Sequence, residues 1–356
     1  MAKTTNIWLC KPRCFSKKKQ TGDPTNNKNL YTNSLRTVSF VLASLLHNRA
    51  TMFRQPNKLK ILLGATLFGI LSTTLHAKIE KKLSYAAALS DGDKVSFYGD
   101  LADIKLVKTD SNEVRYDIKL TYKSDNESKA EKMFDKIEWT FDDDGPTIEL
   151  KEKIKKAKKL DIDVTVYLPD NHPIEIGTVS GDISTSDDFT TDVKLHVVSG
   201  DITAQSVNGN LTIDSVSGDL RARDITGNVY LNTVSGDASI QSVGGKLNSS
   251  SVSGDVEIGD VSSEISYNGV SGDFRVNLTE KNEGPVYGET VSGDITIHCA
   301  SQTGLQLTAD TISGDINCNL TLSNIHSSKH KLSGTFKDGK IKCKTSTVSG
   351  DIEIKN

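Results

Sequence analysis

The stretch VSGDLRARDITGNVYLNTVSGD, Val216–Asp237, carries Val-Ser-Gly-Asp at both ends, eighteen residues apart, with a degenerate copy, Ile-Thr-Gly-Asn, beginning midway at Ile225. Cut into units of nine from Val198, the chain runs through nine consecutive units to Leu278 without an insertion. The first position is Val or Ile in every unit, and the third is Gly in all but one, where Ser263 stands. The fifth is always apolar, and the seventh is apolar except at Ser249. The positions between are mostly polar. Apolar–polar alternation of period two makes each unit a strand with one buried face.

Units carrying Ser-Gly-Asp alternate with units carrying Asn-Gly-Asn, Thr-Gly-Asn, Gly-Gly-Lys or Ser-Ser-Glu, so the repeat is eighteen residues with two similar halves. A fixed repeat of this length is the signature of a solenoid. Nine is odd, so the alternation must be reset once per unit, and the polar ninth position (Ser206, Asp224, Asp260) is the expected place. The motif recurs at Val179, Val291, Ile312 and Val348, with gaps growing to 21 and then 36 residues, which predicts insertions in the later coils. Nine Ser-Gly-Asp copies predict about nine coils and, at about 4.8 Å per strand, a rod about 40 Å long.

A Gly at the same place in each coil marks a backbone position needing positive φ or close approach. Asp and Ser beside it hydrogen-bond turn N–H groups. The tetrapeptide is therefore read as a corner. The aspartates Asp182, Asp201, Asp219, Asp237, Asp255, Asp273, Asp294, Asp315 and Asp351 are expected to stack in one column. Like charges about 4.8 Å apart in water repel by roughly 0.9 kcal/mol per pair. Backbone N–H groups, the serines or a bound cation must offset this. The column is treated as a structural corner and surface ridge. Calcium is the alternative, although the Gly-Gly-x-Gly-x-Asp nonapeptide of calcium-binding β-rolls is absent.

Apolar residues make up 36% of the 356-residue chain and aromatics 6%, a composition suited to stacked small aliphatics. Residues 1–77 hold twelve basic residues and one acidic one, leaving residues 78–356 with a net charge of −14. So acidic a body has no general affinity for phosphate backbones, which excludes non-specific nucleic-acid binding.

From Met52, a basic start (Arg54, Lys58, Lys60), an apolar run Ile61–Leu75 and Ala77 follow the layout of a secretory signal peptide over 52–77. The run is short for a membrane span, so no span is expected after cleavage. Residues 1–51 are read as a non-native extension preceding the true start at Met52. Residues 78–177 lack the repeat and are read as a β-rich cap for the solenoid of residues 178–356, because an open end would expose core and strand edges. Within the cap, the stretch from Lys94 to Thr109 is read as strand, Glu127–Lys136 as a helical turn or a charged loop, and Asp142–Asp144 as a solvated turn.

Cys299, Cys318 and Cys343 match no zinc spacing and leave one disulfide with a spare thiol, or three buried thiols, open. His326 and His330 fall in SNIHSSKHKLSG, read as a loop. No metal-pair, nucleophile-elbow or phosphate-loop motif is present, so no catalytic, metal or cofactor residue is expected.

The strand ending in Val166–Pro169 (VYLP), the following IEIGTVSGDI, the serial Val-Ser-Gly-Asp coils and the closing KTSTVSGDIEI of Lys344–Ile354 resemble the bacterial putative-adhesin domain of unknown function over about residues 90–356. The resemblance implies an all-β solenoid and an adhesive or structural role, and brings no catalytic residues with it.

The expectation is an all-β, β-helix-like solenoid of about 18-residue coils. It would be exported to periplasm, cell surface or medium as a non-enzymatic binding module for a protein or glycan of the cell envelope, met on the flat, polar, Thr/Ser/Asn-rich outer face of the coils. The alternatives are a periplasmic scaffold that self-associates through its ends and a β-helical carbohydrate-active enzyme. Sugar platforms favour aromatics, and the repeat offers Tyr230, Tyr267 and Phe274.

Overall fold

The structure, a computed structural model, describes residues 78–356 apart from 146, 155–157 and 186. The extension, Met52 and the signal peptide lie outside the described residues. Two sheets, of 13 and 14 strands, face each other across one continuous apolar core. Each coil gives one strand to each sheet. In the coil from Leu211 to Ile225, Leu211–Ser217 enters the larger sheet and Leu220–Ile225 the smaller. The next coil pairs with it in parallel, eighteen residues on: Leu211 lies beside Val229, Ile213 beside Leu231 and Leu220 beside Ala238.

The alternation is reset as the ninth position predicts. Leu220 and Ala222 point inward and Arg221 and Arg223 outward; Asp224 then adopts left-handed φ of 58°, which turns Ile225 inward as well. Ser206, Ser242 and Asp260 repeat this, with φ of 56°, 58° and 52°. The other half of each coil behaves differently. Alternation from Leu211 puts Ser215 inside, so Val216, expected inward, is half-exposed. Here the reset falls two residues later, at Gly218. The inward column before this corner holds Thr178, Val197, Ser215, Thr233, Ser251 and Gly269, all small, where the two sheets converge.

The stack begins inside the cap. The stretch from Lys94 breaks at Asp100-Leu101 into Lys94–Gly99 and Ala102–Lys108, and these form a first coil against Ile174–Ser180 and Ile183–Thr185. Thr147–Lys153 and Leu160–Leu168 cover its far side. Antiparallel strands then end the sheets: Glu138–Asp142 at the edge of the larger, and Glu113–Tyr122 followed by Ile79–Ala88 at the edge of the smaller. Tyr85, with Trp139 and Phe141 at 6.4 and 5.5 Å, closes the end between these edges. Glu127–Phe134 is a helix, with Asn126 accepting from the Lys129 N–H at 2.9 Å and Ala130 and Phe134 buried. Asp142, Asp143 and Asp144 are all exposed; Asp142 ends the strand Glu138–Asp142, and only Asp143 and Asp144 lie in the turn after it.

At the other end, chain order and stacking order part. The last coil, Ile341–Ser349 with Ile352–Lys355, is wedged between the coil of Val286–Glu289 and Ile295–Cys299 and that of Leu305–Ser313 and Ile316–Cys318. The 36-residue gap thus holds a return of the chain and a hairpin rather than a loop alone. In this hairpin Ser323–Ser328 and Lys331–Phe336 are strands, which corrects the loop reading at His326, while His330 lies in the turn between them. Apolar alternation could not mark Ser323–Ser328 because all six residues are exposed. Ten coils result, the nine Ser-Gly-Asp coils plus the first one in the cap.

Candidate functional site

The nine Ser-Gly-Asp corners form one ridge along the seam between the sheets. In stacking order the aspartates run from Asp103 of the first coil through Asp182, Asp201, Asp219, Asp237, Asp255, Asp273 and Asp294 to Asp351 and then Asp315. Each backbone N–H in this series, from Asp182 onward, donates to the Oδ1 of the preceding aspartate at 2.8–3.2 Å. The donors come from the neighbouring coil, not from the same turn. A hydrogen bond to an ionised group contributes roughly 1.5–3 kcal/mol, at the low end on a wet ridge. That exceeds the repulsion of about 0.9 kcal/mol per pair. Arg275 also bridges Asp255 and Asp273 at 2.9 and 2.7 Å. These bonds suffice to offset that repulsion, and no cluster of three or more potential metal ligands occurs among the described residues.

In six of the nine motifs, from Gly181 to Gly272, the glycine between serine and aspartate is needed twice over. At Gly218 and Gly236 φ is 126° and 112°, and a Cβ there would lie 2.0 and 2.1 Å from the carbonyl oxygen of the glycine one coil back. At the opposite corner Gly227 has no positive φ, but its Cβ would still lie 2.4 Å from the Gly209 oxygen. The exposed serines of the motif, Ser199, Ser217, Ser235, Ser253 and Ser271 among them, pair coil to coil beside the aspartates. The ridge is thus a row of hydroxyls and a row of carboxylates at the spacing of the strands.

A groove of about 400 Å³ follows the left-handed kinks, lined by Ser206, Asp224, Ser242 and Asp260, with Asp188 and Lys281 also on its wall. Among the aromatic candidates only Tyr230 is on the surface, at 43% exposure. Tyr267 and Phe274 are buried and stacked on each other at 4.4 Å, because the seventh and fifth positions of a unit face inward.

A charged network on the outer face of the larger sheet went unread in the sequence. His196 Nε2 lies 3.6 Å from Glu175 Oε1, and its Nδ1 lies 3.2 Å from Asp214 Oδ2, too bent for a full hydrogen bond, so that contact is chiefly charge on charge. Tyr98 donates to Glu175 at 2.5 Å, Lys94 pairs with the same carboxylate, and Asn232 donates to Asp214 at 2.8 Å. Burial would lower the pKa of His196, but Asp214 and Glu175 outweigh it and raise the pKa to about 9. His196 holds Glu175 well below the usual carboxylate range, against burial and with help from Lys94 and Tyr98. Burial opposes the ionisation of Asp214, but His196 and Asn232 prevail and its pKa is lowered. An imidazolium fixed between two carboxylates is a tie across five strands, and has no free lone pair to act as a base. The readable signal was register: His196, Asp214 and Asn232 sit at equivalent positions eighteen residues apart.

Glu152, 3% exposed, accepts from the N–H groups of Asp100 and Leu101 at 2.6 and 3.0 Å through Oε2, while Oε1 has no partner. Burial lifts its pKa to about 7 against those two donors. The cysteines among the described residues are free thiols, Cys299 and Cys343 buried and Cys318 partly so. Burial pushes Cys299 up to about 11 and Cys343 to about 12, leaving both unreactive as nucleophiles at neutral pH.

Fold and surface together define a two-sheet β-solenoid with a corner ridge. The chain belongs to the family described as Toastrack DUF4097, a domain of unknown function whose model matches residues 93–355. No curated protein matches the chain. Among solved structures it is similar to a putative cell adhesion protein from Clostridium sporogenes, at 11% identity over 78% of this chain and 99% of that one, TM-score 0.22. It is also similar to a putative adhesin from Bacteroides fragilis, at 14% identity over 77% and 97%, TM-score 0.26. A third is a putative lipid binding protein from Parabacteroides distasonis, at 17% identity over 76% and 96%, TM-score 0.32. Superpositions this poor carry no argument about function.

Proposed function

We propose that the protein is a non-enzymatic binding module of the bacterial cell envelope, exported through the signal-peptide layout of residues 52–77, and that it meets a protein or glycan partner along the Ser-Gly-Asp ridge. The observation that carries this reading is the unbroken register of the ridge. Nine successive inter-coil bonds hold the carboxylates in one row beside exposed serines. Such an array is preorganised for a long, repeating ligand, and little ordering entropy is lost on binding. Catalysis would call for a local departure from the repeat. Among the described residues, the charged cluster around His196 is internally neutralised.

Co-sedimentation with purified envelope particles tests the reading. Replacing Ser217, Ser235 and Ser253 by Lys should abolish binding, while replacing Thr212 and Tyr230 on the outer face of the larger sheet by Lys should leave it intact. Equal binding by both variants would remove the ridge as the site. Release of reducing ends from envelope polysaccharide by the unmodified protein would make it an enzyme.

A further inference from the structure

The larger sheet is open at both ends, and its two edges are opposite in charge. At the N-terminal end the outermost strand is Glu138–Asp142, which among the described residues pairs only with Thr147–Lys153. Residues 123–145 around it hold eight acidic and four basic residues, a net of −4. At the C-terminal end the outermost strand is Ser323–Ser328, exposed along its whole length. Its hairpin, residues 321–340, holds four lysines and one aspartate, a net of +3, with His326 and His330 besides. Ile325, the most exposed large apolar side chain described, at 54%, lies at the middle of that edge. Trp139 and Phe141 are left half-covered at the other.

We infer that copies of this chain associate head to tail, the Ser323–Ser328 edge of one pairing with the Glu138–Asp142 edge of the next. Strand direction favours this. Ser323–Ser328 is antiparallel to Lys331–Phe336, which is antiparallel to Leu305–Ser313, so it runs with the parallel strands of the stack. Glu138–Asp142 is antiparallel to Thr147–Lys153, which runs with that stack, so it points the other way. Moving one copy along the rod axis therefore brings the two edges together as an antiparallel pair of six and five residues. Unpaired edges are templates for another chain unless guarded, and charge is the usual guard. Here the guard is selective. Acid against acid and base against base block pairing of like ends, while unlike ends attract. The smaller sheet offers no equivalent, since its C-terminal edge, Ile316–Cys318, is three residues long. A heterologous contact of this kind does not close on itself, so the product is an open filament. This association is independent of the ridge and of what the ridge binds.

Light scattering on the full chain across a concentration series tests it. At low ionic strength the mass should climb past that of a dimer as concentration rises. In about 1 M salt, where the Debye length shrinks to about 3 Å, it should fall back towards that of one chain. Two variants make the test specific: Asp142→Lys with Asp143→Lys and Asp144→Lys, and Lys329→Glu with Lys331→Glu. Each alone should stay monomeric and folded, the variant at Lys329 and Lys331 melting slightly lower because Lys331 pairs with Asp310, and a mixture of the two should assemble again, because each then presents the end the other lacks. A single chain at every concentration, a dimer that grows no further, or variants that fail to complement each other would overturn the inference. Should either variant fail to fold, the concentration and salt series of the unmodified protein still decides.

Discussion

Gly218 shows how a single position is constrained from two directions. Its φ of 126° is closed to ordinary side chains, and the Gly200 carbonyl oxygen occupies the place of a Cβ. Gly218→Val should therefore destabilise by well over 1 kcal/mol in thermal melts. Asp237→Asn should be nearly neutral, with or without calcium, because an amide oxygen still accepts the Asp255 N–H. A calcium-dependent rise in melting temperature that Asp237→Asn removes would instead make the ridge a cation site. Thr233 is the opposite case. Its hydroxyl is fully buried without a partner, as is that of Ser215 one coil below. Thr233→Val keeps the shape and removes the orphan group, so it should raise stability by about 1 kcal/mol in denaturant titration. Corner and buried-hydroxyl residues look alike on paper, since both are small and polar in the repeat. Only the convergence of the sheets separates them.

At the scale of elements, the network around His196 joins the strands Lys94–Gly99, Ile174–Ser180, Val193–Ser199, Leu211–Ser217 and Val229–Ser235. It thereby ties the cap to the first coils. The folded pKa of about 9 stands above the ordinary histidine value of about 6.5. Its stabilisation is therefore complete below about pH 6.5 and is lost as pH rises through about 9. The lowered pKa values of Glu175 and Asp214 act in the other sense: their stabilisation is present above the ordinary carboxylate range and is lost in acid. Melting temperature should accordingly be highest near pH 5–6.5 and decline toward pH 9. In His196→Gln the alkaline decline should be shallower and the whole curve lower.

Glu152 also weakens the fold as pH rises, since its folded pKa of about 7 lies above the ordinary value for a glutamate. Glu152→Gln should therefore gain stability over the parent protein above pH 7, which separates its contribution from that of His196. Neither residue stood out in the sequence. A charge in a strand reads as an outward position, and what faces it is set by register with strands that lie elsewhere in the chain.

At the scale of the whole molecule, the C-terminal coil is interior to the stack. Ile352 pairs with Ile295 on one side and Ile316 on the other and is fully buried. Although it lies close to the chain end, where change is usually tolerated, Ile352→Ala should destabilise by about 2–5 kcal/mol. That is the range expected for Leu231→Ala in the middle of the repeat. Chemical denaturation of both variants checks this, and a much milder effect at Ile352 would contradict the wedged position.

The coil length, the inward fifth and seventh positions, the corner glycines and the ninth-position reset in one half of each coil were legible in the residues themselves. They are local, and the repeat states each of them many times over. The helix Glu127–Phe134 remained ambiguous, and the hairpin of Ser323–Phe336 was misread, because an exposed edge strand carries no apolar alternation to betray it. The order of the last two coils, the choice of Ser215 over Val216 for the interior, the pairing of His196 with Glu175 and Asp214, and the opposite charges at the two ends of the larger sheet were decided only by tertiary structure. Each depends on which strands become neighbours across the chain, and that is set by core burial and by closing the open ends of the stack, which no single repeat contains.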